Sequence, residues 1–128
     1  MSFDTFNDCN PRKPTPVLQI HGSIDSVVPY DGLLSIMKPV VEVMDYWKTV
    51  NDCDEFVHTV PEIIAGVSSW TETYLFDNCL NDTQNIHLKV QGAGHIWPGS
   101  IFESIKDPDT SKQIWEFFSK YDINGVIQ

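Results

Sequence analysis

Two short stretches hold the side chains best suited to moving a proton. Gly92-Ala93-Gly94-His95-Ile96-Trp97-Pro98-Gly99 puts a histidine on a glycine-rich bend beyond an alternating apolar run. His21-Gly22-Ser23-Ile24-Asp25-Ser26-Val27-Val28-Pro29-Tyr30 puts a carboxylate beyond another apolar run. An imidazole can accept and return a proton, while an adjacent carboxylate fixes its tautomer and stabilises its protonated form. Asp25 and His95 are therefore the candidate acid and base of a nucleophilic triad, and the order of acid before histidine matches Ser…Asp…His. The glycines flanking Ala93 are read as letting the backbone turn sharply and approach neighbouring chain, so that the ring projects into a site.

The third part of such a triad is missing. A nucleophile elbow has the form G-x-S-x-G and lies upstream of the acid, and nothing in this chain has that form. Ser23, Ser26, Ser68, Ser69 and Ser100 all lack the flanking glycines. Ser23 is only two residues from Asp25, a poor arrangement because the imidazole must stand between acid and nucleophile. A metal centre built from His21, Asp25, His87 and His95 is a weak alternative, since these positions lack helix or hairpin ligand spacing. Neither a metal nor an organic cofactor is expected.

The elements that must position these residues follow from apolar patterning. Residues 1–14 carry Asn7, Asp8, Asn10, Pro11 and Pro14 with little periodicity, and read as an irregular lead-in. Pro16 to His21 is a nearly continuous apolar run stopped by Gly22, the pattern of a parallel strand buried on both faces. Pro39 to about Val50 reads as a helix with Val40, Val43, Met44, Trp47 and Val50 on one stripe, which predicts core packing. Trp70 to Phe76 alternates as an exposed strand and is expected to be an excursion from the main sheet. Ile86 to Val90 alternates strictly, predicting a half-solvated edge strand with His87 and Lys89 on its polar face. Thr110-Ser111-Lys112-Gln113 reads as a capping box opening a helix whose buried side is Ile114, Trp115, Phe118 and Tyr121, stopped at Asn124-Gly125. Asp25 and His95 would both lie just past the carboxyl ends of strands, where open α/β sheets gather their catalytic groups.

Composition narrows the functional classes. Eighteen acidic against eight basic side chains give a formal charge of −10, which on average repels a phosphate backbone or an anionic membrane. Nucleic acid and membrane partners are therefore not expected. No apolar run approaches the roughly 20 residues of a membrane-spanning helix, and Met1 to Thr5 lacks the basic end and apolar centre of a secretory leader. With 41% hydrophobic residues in 128, the chain has enough apolar surface for one modest core. Cys9, Cys53 and Cys79 lack zinc-site spacing. From spacing alone, free thiols and a disulfide across the segment between Cys53 and Cys79 both remain open.

Taken together, His21-Gly22-x-x-Asp25-x-x-Val28-Pro29-Tyr30, then Tyr46-Trp47, Asn51-Asp52-Cys53, Cys79, and Gly92-x-Gly94-His95-x-Trp97-Pro98-Gly99 resemble a known pattern. It is that of the carboxyl-terminal half of secreted polyhydroxybutyrate depolymerases and feruloyl esterases. The resemblance spans about Pro14 to Tyr121. It implies an α/β fold in which residues 15–128 are the C-terminal portion of an α/β-hydrolase, with its last parallel strands and helices, incomplete without an N-terminal half. It implies Asp25 and His95 as triad acid and base, a Cys53–Cys79 disulfide, and Trp97 and Pro98 as parts of the substrate wall. The substrate class it implies is a carboxylic ester, either a polyester or a feruloylated polysaccharide, in an extracellular or periplasmic setting. The absent elbow serine departs from that pattern, so the chain is expected to be inactive alone and to need the missing half or self-association. A module that keeps part of such a fold and only binds a partner or polymer surface is the competing reading.

Overall fold

A computed structural model describes residues 1–62, 68–99 and 109–127. Its centre is a four-stranded sheet in the order β1 (Val17–Gly22), β4 (Asn85–Gln91), β3 (Trp70–Asp77), β2 (Glu55–Thr59). Only β1 and β4 run parallel; β4 with β3 and β3 with β2 are antiparallel. This overturns the expected α/β-hydrolase portion, whose strands should be parallel. The difference arises between residues 51 and 84. There the chain makes a β2–β3 hairpin and turns back through a short 3-10 segment (Leu80–Asp82) straight into β4, leaving no room for the crossover that a parallel neighbour needs.

The same pairing reassigns two strands. β4 is flanked on both sides, with Asn85, His87, Leu88 and Val90 buried, so it is an inner strand and not a half-solvated edge. His87 sits on the face opposite Leu88 and is buried too, because its ring lies beneath Tyr30 and Tyr74. β3 belongs to the main sheet, paired along seven residues with β4. Its alternation reflects partial cover on both faces and not an exposed excursion. The edges are β1 and β2. Val17 and Ser23 direct their amides to the Gln84 and Val90 carbonyls, so the amides of Leu18 and Ile20 point away from the sheet.

One face of the sheet is covered by α2 (Val40–Val50), which follows Pro39 and buries Val40, Val43 and Met44. Val40 and Met44 pack with Tyr30, Phe76, Cys53 and Cys79 and, from β1, Val17. The polar centre of this layer is Asn51, wholly buried at the end of α2. Its side chain donates to the Thr15 carbonyl and to Asn85 Oδ1, and accepts from the Thr15 amide. A buried amide satisfied three times over fixes the α2 exit against β1 and β4. Beside it, Cys53 and Cys79 are joined in a disulfide that closes a 26-residue separation. Cys9 is free.

The ends of the chain also depart from expectation. Residues Phe3–Asp8 form a short helix, α1, capped by the Ser2 side chain. α3 (Thr110–Phe118) is capped by Asp109, whose carboxylate accepts from the Lys112 amide, so the capping group precedes the expected box by one residue. Its buried residues are Thr110 and Phe117; Trp115 and Phe118 are exposed. The true buried stripe is thus offset from the one read in sequence. Asn124-Gly125 turns a small hairpin between β5 (Tyr121–Asp122) and β6 (Gly125–Val126) and does not end the helix. No helix among the described residues is long and apolar enough to cross a membrane.

Candidate functional site

Asp25 and His95 enter the site from the loops that leave the two parallel strands, and the pairing of those strands places the loops side by side. Three hydrogen bonds join them beyond the ladder. The Ser23 amide reaches the Val90 carbonyl, the Ile24 amide the Ala93 carbonyl, and the Gly92 amide the Ser23 hydroxyl oxygen. Gly22 is required where the loops cross, because a Cβ there would collide with the carbonyl oxygen of Ala93. Gly92 is required for a different reason: its φ of +76° lies in the left-handed region, and a Cβ would press on the Ser68 carbonyl at 2.6 Å. Gly94, by contrast, has open space around it and no positive φ, so only one of the two glycines flanking Ala93 performs the mechanical role read in sequence.

The loop after β1 folds around the Asp25 carboxylate. Oδ1 accepts from the amides of Val27 at 2.8 Å and Val28 at 2.9 Å, the local turn that aspartate favours. Oδ2 accepts from His95 Nδ1 at 2.9 Å. The carboxylate side chain is 7% exposed and the His95 ring 57%. Burial works against the charge of Asp25, but the Val28 amide, His95 and the Val27 amide outweigh it and hold the carboxyl down to about 2. At neutral pH it is therefore an anion.

That geometry settles which nitrogen of His95 carries the proton. A carboxylate can only accept, so Nδ1 must bear hydrogen and the neutral ring keeps its lone pair on Nε2. Nε2 has no hydrogen-bond partner among the described residues. A cavity of about 220 Å³ opens beside the ring, bordered by His21, Gly94, Ile96 and Pro98. The chemical capacity of the arrangement is that of an oriented base: it can take a proton from a group placed in that cavity and hand it on.

His21 is the part of the site that sequence reading undervalued. Its Nε2 donates to the Val28 carbonyl at 2.8 Å and lies 3.7 Å from Asp25 Oδ2, while Nδ1 meets the Gln19 amide nitrogen at 3.2 Å. It thereby locks the turn whose amides bind Asp25. The signal was present in the alternation of β1, since Gln19 and His21 fall on one face, but an apolar run stopped by glycine draws attention away from its terminal histidine.

The remaining candidates separate. Pro98 is buried and borders the cavity beside His95. Trp97 is 55% exposed and turns instead to a neighbouring cleft with Leu18, Ile20 and Phe118. The oxygen of Ser23 is committed to the Gly92 amide. Ser100 lies outside the described residues. His87, the fourth member of the weak metal alternative, bonds Tyr30 and Gln19 and takes no part in the cluster of His21, Asp25 and His95. Among the described residues no group of three or more His, Cys, Asp or Glu side chains is arranged to hold a metal ion. Comparison of the sequence with protein-family models and with curated proteins finds no match.

Proposed function

We propose that Asp25 and His95 are the acid and base of a carboxylic-ester hydrolase of the Ser-Asp-His type, whose nucleophilic serine comes from polypeptide outside these 128 residues. The observation that carries this reading is the 2.9 Å bond from His95 Nδ1 to a nearly buried carboxylate, with the rest of the ring open to a cavity. In that scheme Nε2 removes the proton of the serine hydroxyl as its oxygen attacks the ester carbonyl. The imidazolium formed is stabilised by Asp25 and protonates the departing alkoxide. Water then repeats the sequence to free the acid and restore the serine. The HGxxDxxVP and GxGHxWPG patterns support an ester of a polymer, a polyester or a feruloylated polysaccharide, as the substrate. Pro98, which borders the cavity beside His95, would form part of its wall. The Cys53–Cys79 disulfide supports an oxidising, extracellular or periplasmic setting.

The test has two arms. The chain by itself, incubated with a serine-directed fluorophosphonate, is expected to give no stoichiometric adduct; labelling of Ser23 or Ser100 would contradict the scheme. Joined to a segment bearing G-x-S-x-G that restores ester turnover, the protein should lose activity on Asp25→Asn or His95→Ala. Retained turnover in both variants would leave the competing reading, a module that only binds. The exposed apolar side chains Trp97, Trp115 and Phe118 are the observation that favours that alternative.

A further inference from the structure

A second cavity, of about 510 Å³, lies between α2 and the sheet and shares no lining residue with the one beside His95. Its size is that of a small-molecule site. Met44, Tyr74, Phe76 and His87 line its interior, and its lips are Val41 from α2 and Phe56 from β2, which stay 54% and 53% exposed. The polar atoms of the interior are spent on one another. Tyr30 Oη donates to His87 Nε2 at 3.0 Å, His87 Nδ1 donates to the Gln19 carbonyl, and Tyr74 Oη donates to Glu72. What the interior offers a ligand is ring face and thioether, with no unsatisfied hydrogen-bonding group, so it suits a flat apolar body.

Charge enters only at the mouth, and it enters in pairs. α2 contributes Asp45 and Lys48, the loop after β1 contributes Asp31, and β4 contributes Lys89. None of the four is engaged in a salt bridge among the described residues. Lys89 Nζ rests 4.5 Å over the Tyr30 ring, an arrangement that holds a cation at the margin of the aromatic interior. A ligand with a carboxylate alone would face two aspartates, and one with an ammonium alone would face two lysines. A ligand bearing both charges on one small head finds a complement for each.

We propose that this groove binds a free aromatic amino acid, its ring among Phe56, Tyr74 and Phe76, its carboxylate toward the lysines and its ammonium toward the aspartates. The chemistry required is a planar ring and a zwitterionic head one or two bonds away. This assignment is independent of the Asp25–His95 reading.

Calorimetric titration of the whole chain with phenylalanine, 3-phenylpropionate and 2-phenylethylamine compares one ring with three head groups, and alanine supplies the head without the ring. Phenylalanine is expected to bind about tenfold more tightly than either singly charged analogue, and alanine not to bind. Phe56→Ala and Asp45→Asn change exposed positions and should each weaken phenylalanine about tenfold while leaving the far-ultraviolet dichroism unchanged. A singly charged analogue that equals phenylalanine, affinity untouched by Phe56→Ala, or no saturable phenylalanine binding up to its solubility limit would each overturn the proposal.

Discussion

Lowering the pH from 7 to 5 should destabilise this protein chiefly through one buried imidazole. His87 is 2% exposed. Burial is the leading reason its pKa is pushed down, from an ordinary 6.5 to about 4. The Gln19 carbonyl resists that shift, His21 and Lys89 reinforce it, and Glu72 resists it. Between pH 6.5 and 4 the unfolded chain takes up a proton that the folded chain refuses, so the free energy of unfolding falls as the solution is acidified. At about 1.4 kcal/mol per pH unit the full window is worth about 3 kcal/mol, of which about 2 kcal/mol is spent by pH 5. Asp25 and Glu72, both held down to about 2, act with the opposite logic. Their stabilisation is complete above the ordinary carboxylate range and fades only as pH falls through it, from 3.8 and 4.5 respectively, toward 2, so they add little slope above pH 5. Urea denaturation at fixed pH values measures the slope directly. His87→Gln is the control, because its amide can still accept from Tyr30 and donate to the Gln19 carbonyl without titrating. The variant should lose about 2 kcal/mol of the change between pH 7 and 5. Equal slopes in the two proteins, or a wild type whose stability is flat over that interval, would refute the reasoning.

Other outcomes follow from the same structure. With a nucleophile supplied, Asp25→Asn should cut ester turnover by about ten-thousandfold, because the amide can no longer impose the Nδ1–H tautomer; nitrogen-15 spectra of the His95 ring check the tautomer even without turnover. The open edge of β1 carries no lysine or proline to discourage pairing, and it adjoins a cleft lined by Trp97, Ile114 and Phe118. Self-association is therefore expected in sedimentation experiments, and Ile20→Lys should return the chain to a monomer; a wild-type monomer at high concentration would argue against this edge as the contact. Replacing Cys53 and Cys79 together by alanine should lower stability by about 3 kcal/mol for a closed loop of this length, measured as a shift of the urea midpoint.

The candidate site was more legible in the sequence than the fold that carries it, for a physical reason. Asp25 and His95 are each specified by their immediate neighbours: a carboxylate that binds amides two and three residues on, and a bend with a glycine at positive φ. Such local rules survive in a single sequence. Their meeting follows from one strand pair, β1 with β4, a partnership that neither run announces by itself. The direction of the remaining strands is a non-local property. Trp70 to Asp77 has the same alternation whether it pairs parallel, antiparallel or not at all. What decides is the short connection through Leu80–Asp82, together with Asn51, which ties the end of α2 to β1 and β4 by bonds that no periodicity announces.

His87 shows the limit from the other side. On an alternating strand a histidine beside a lysine reads as solvated, yet the cross-strand partners Gln19 and Tyr74, with Tyr30 from the loop after β1, wrap it completely. Polarity in the sequence marked the face correctly as distinct from Ile86, Leu88 and Val90. It could not reveal that aromatic side chains distant in sequence close over it, or that the closing leaves a groove. The acidic surface, the oriented Asp25–His95 pair and this groove are thus three separate features. Only the pair was written in contiguous motifs, which is why the groove needs a binding experiment of its own and cannot inherit an answer from ester turnover.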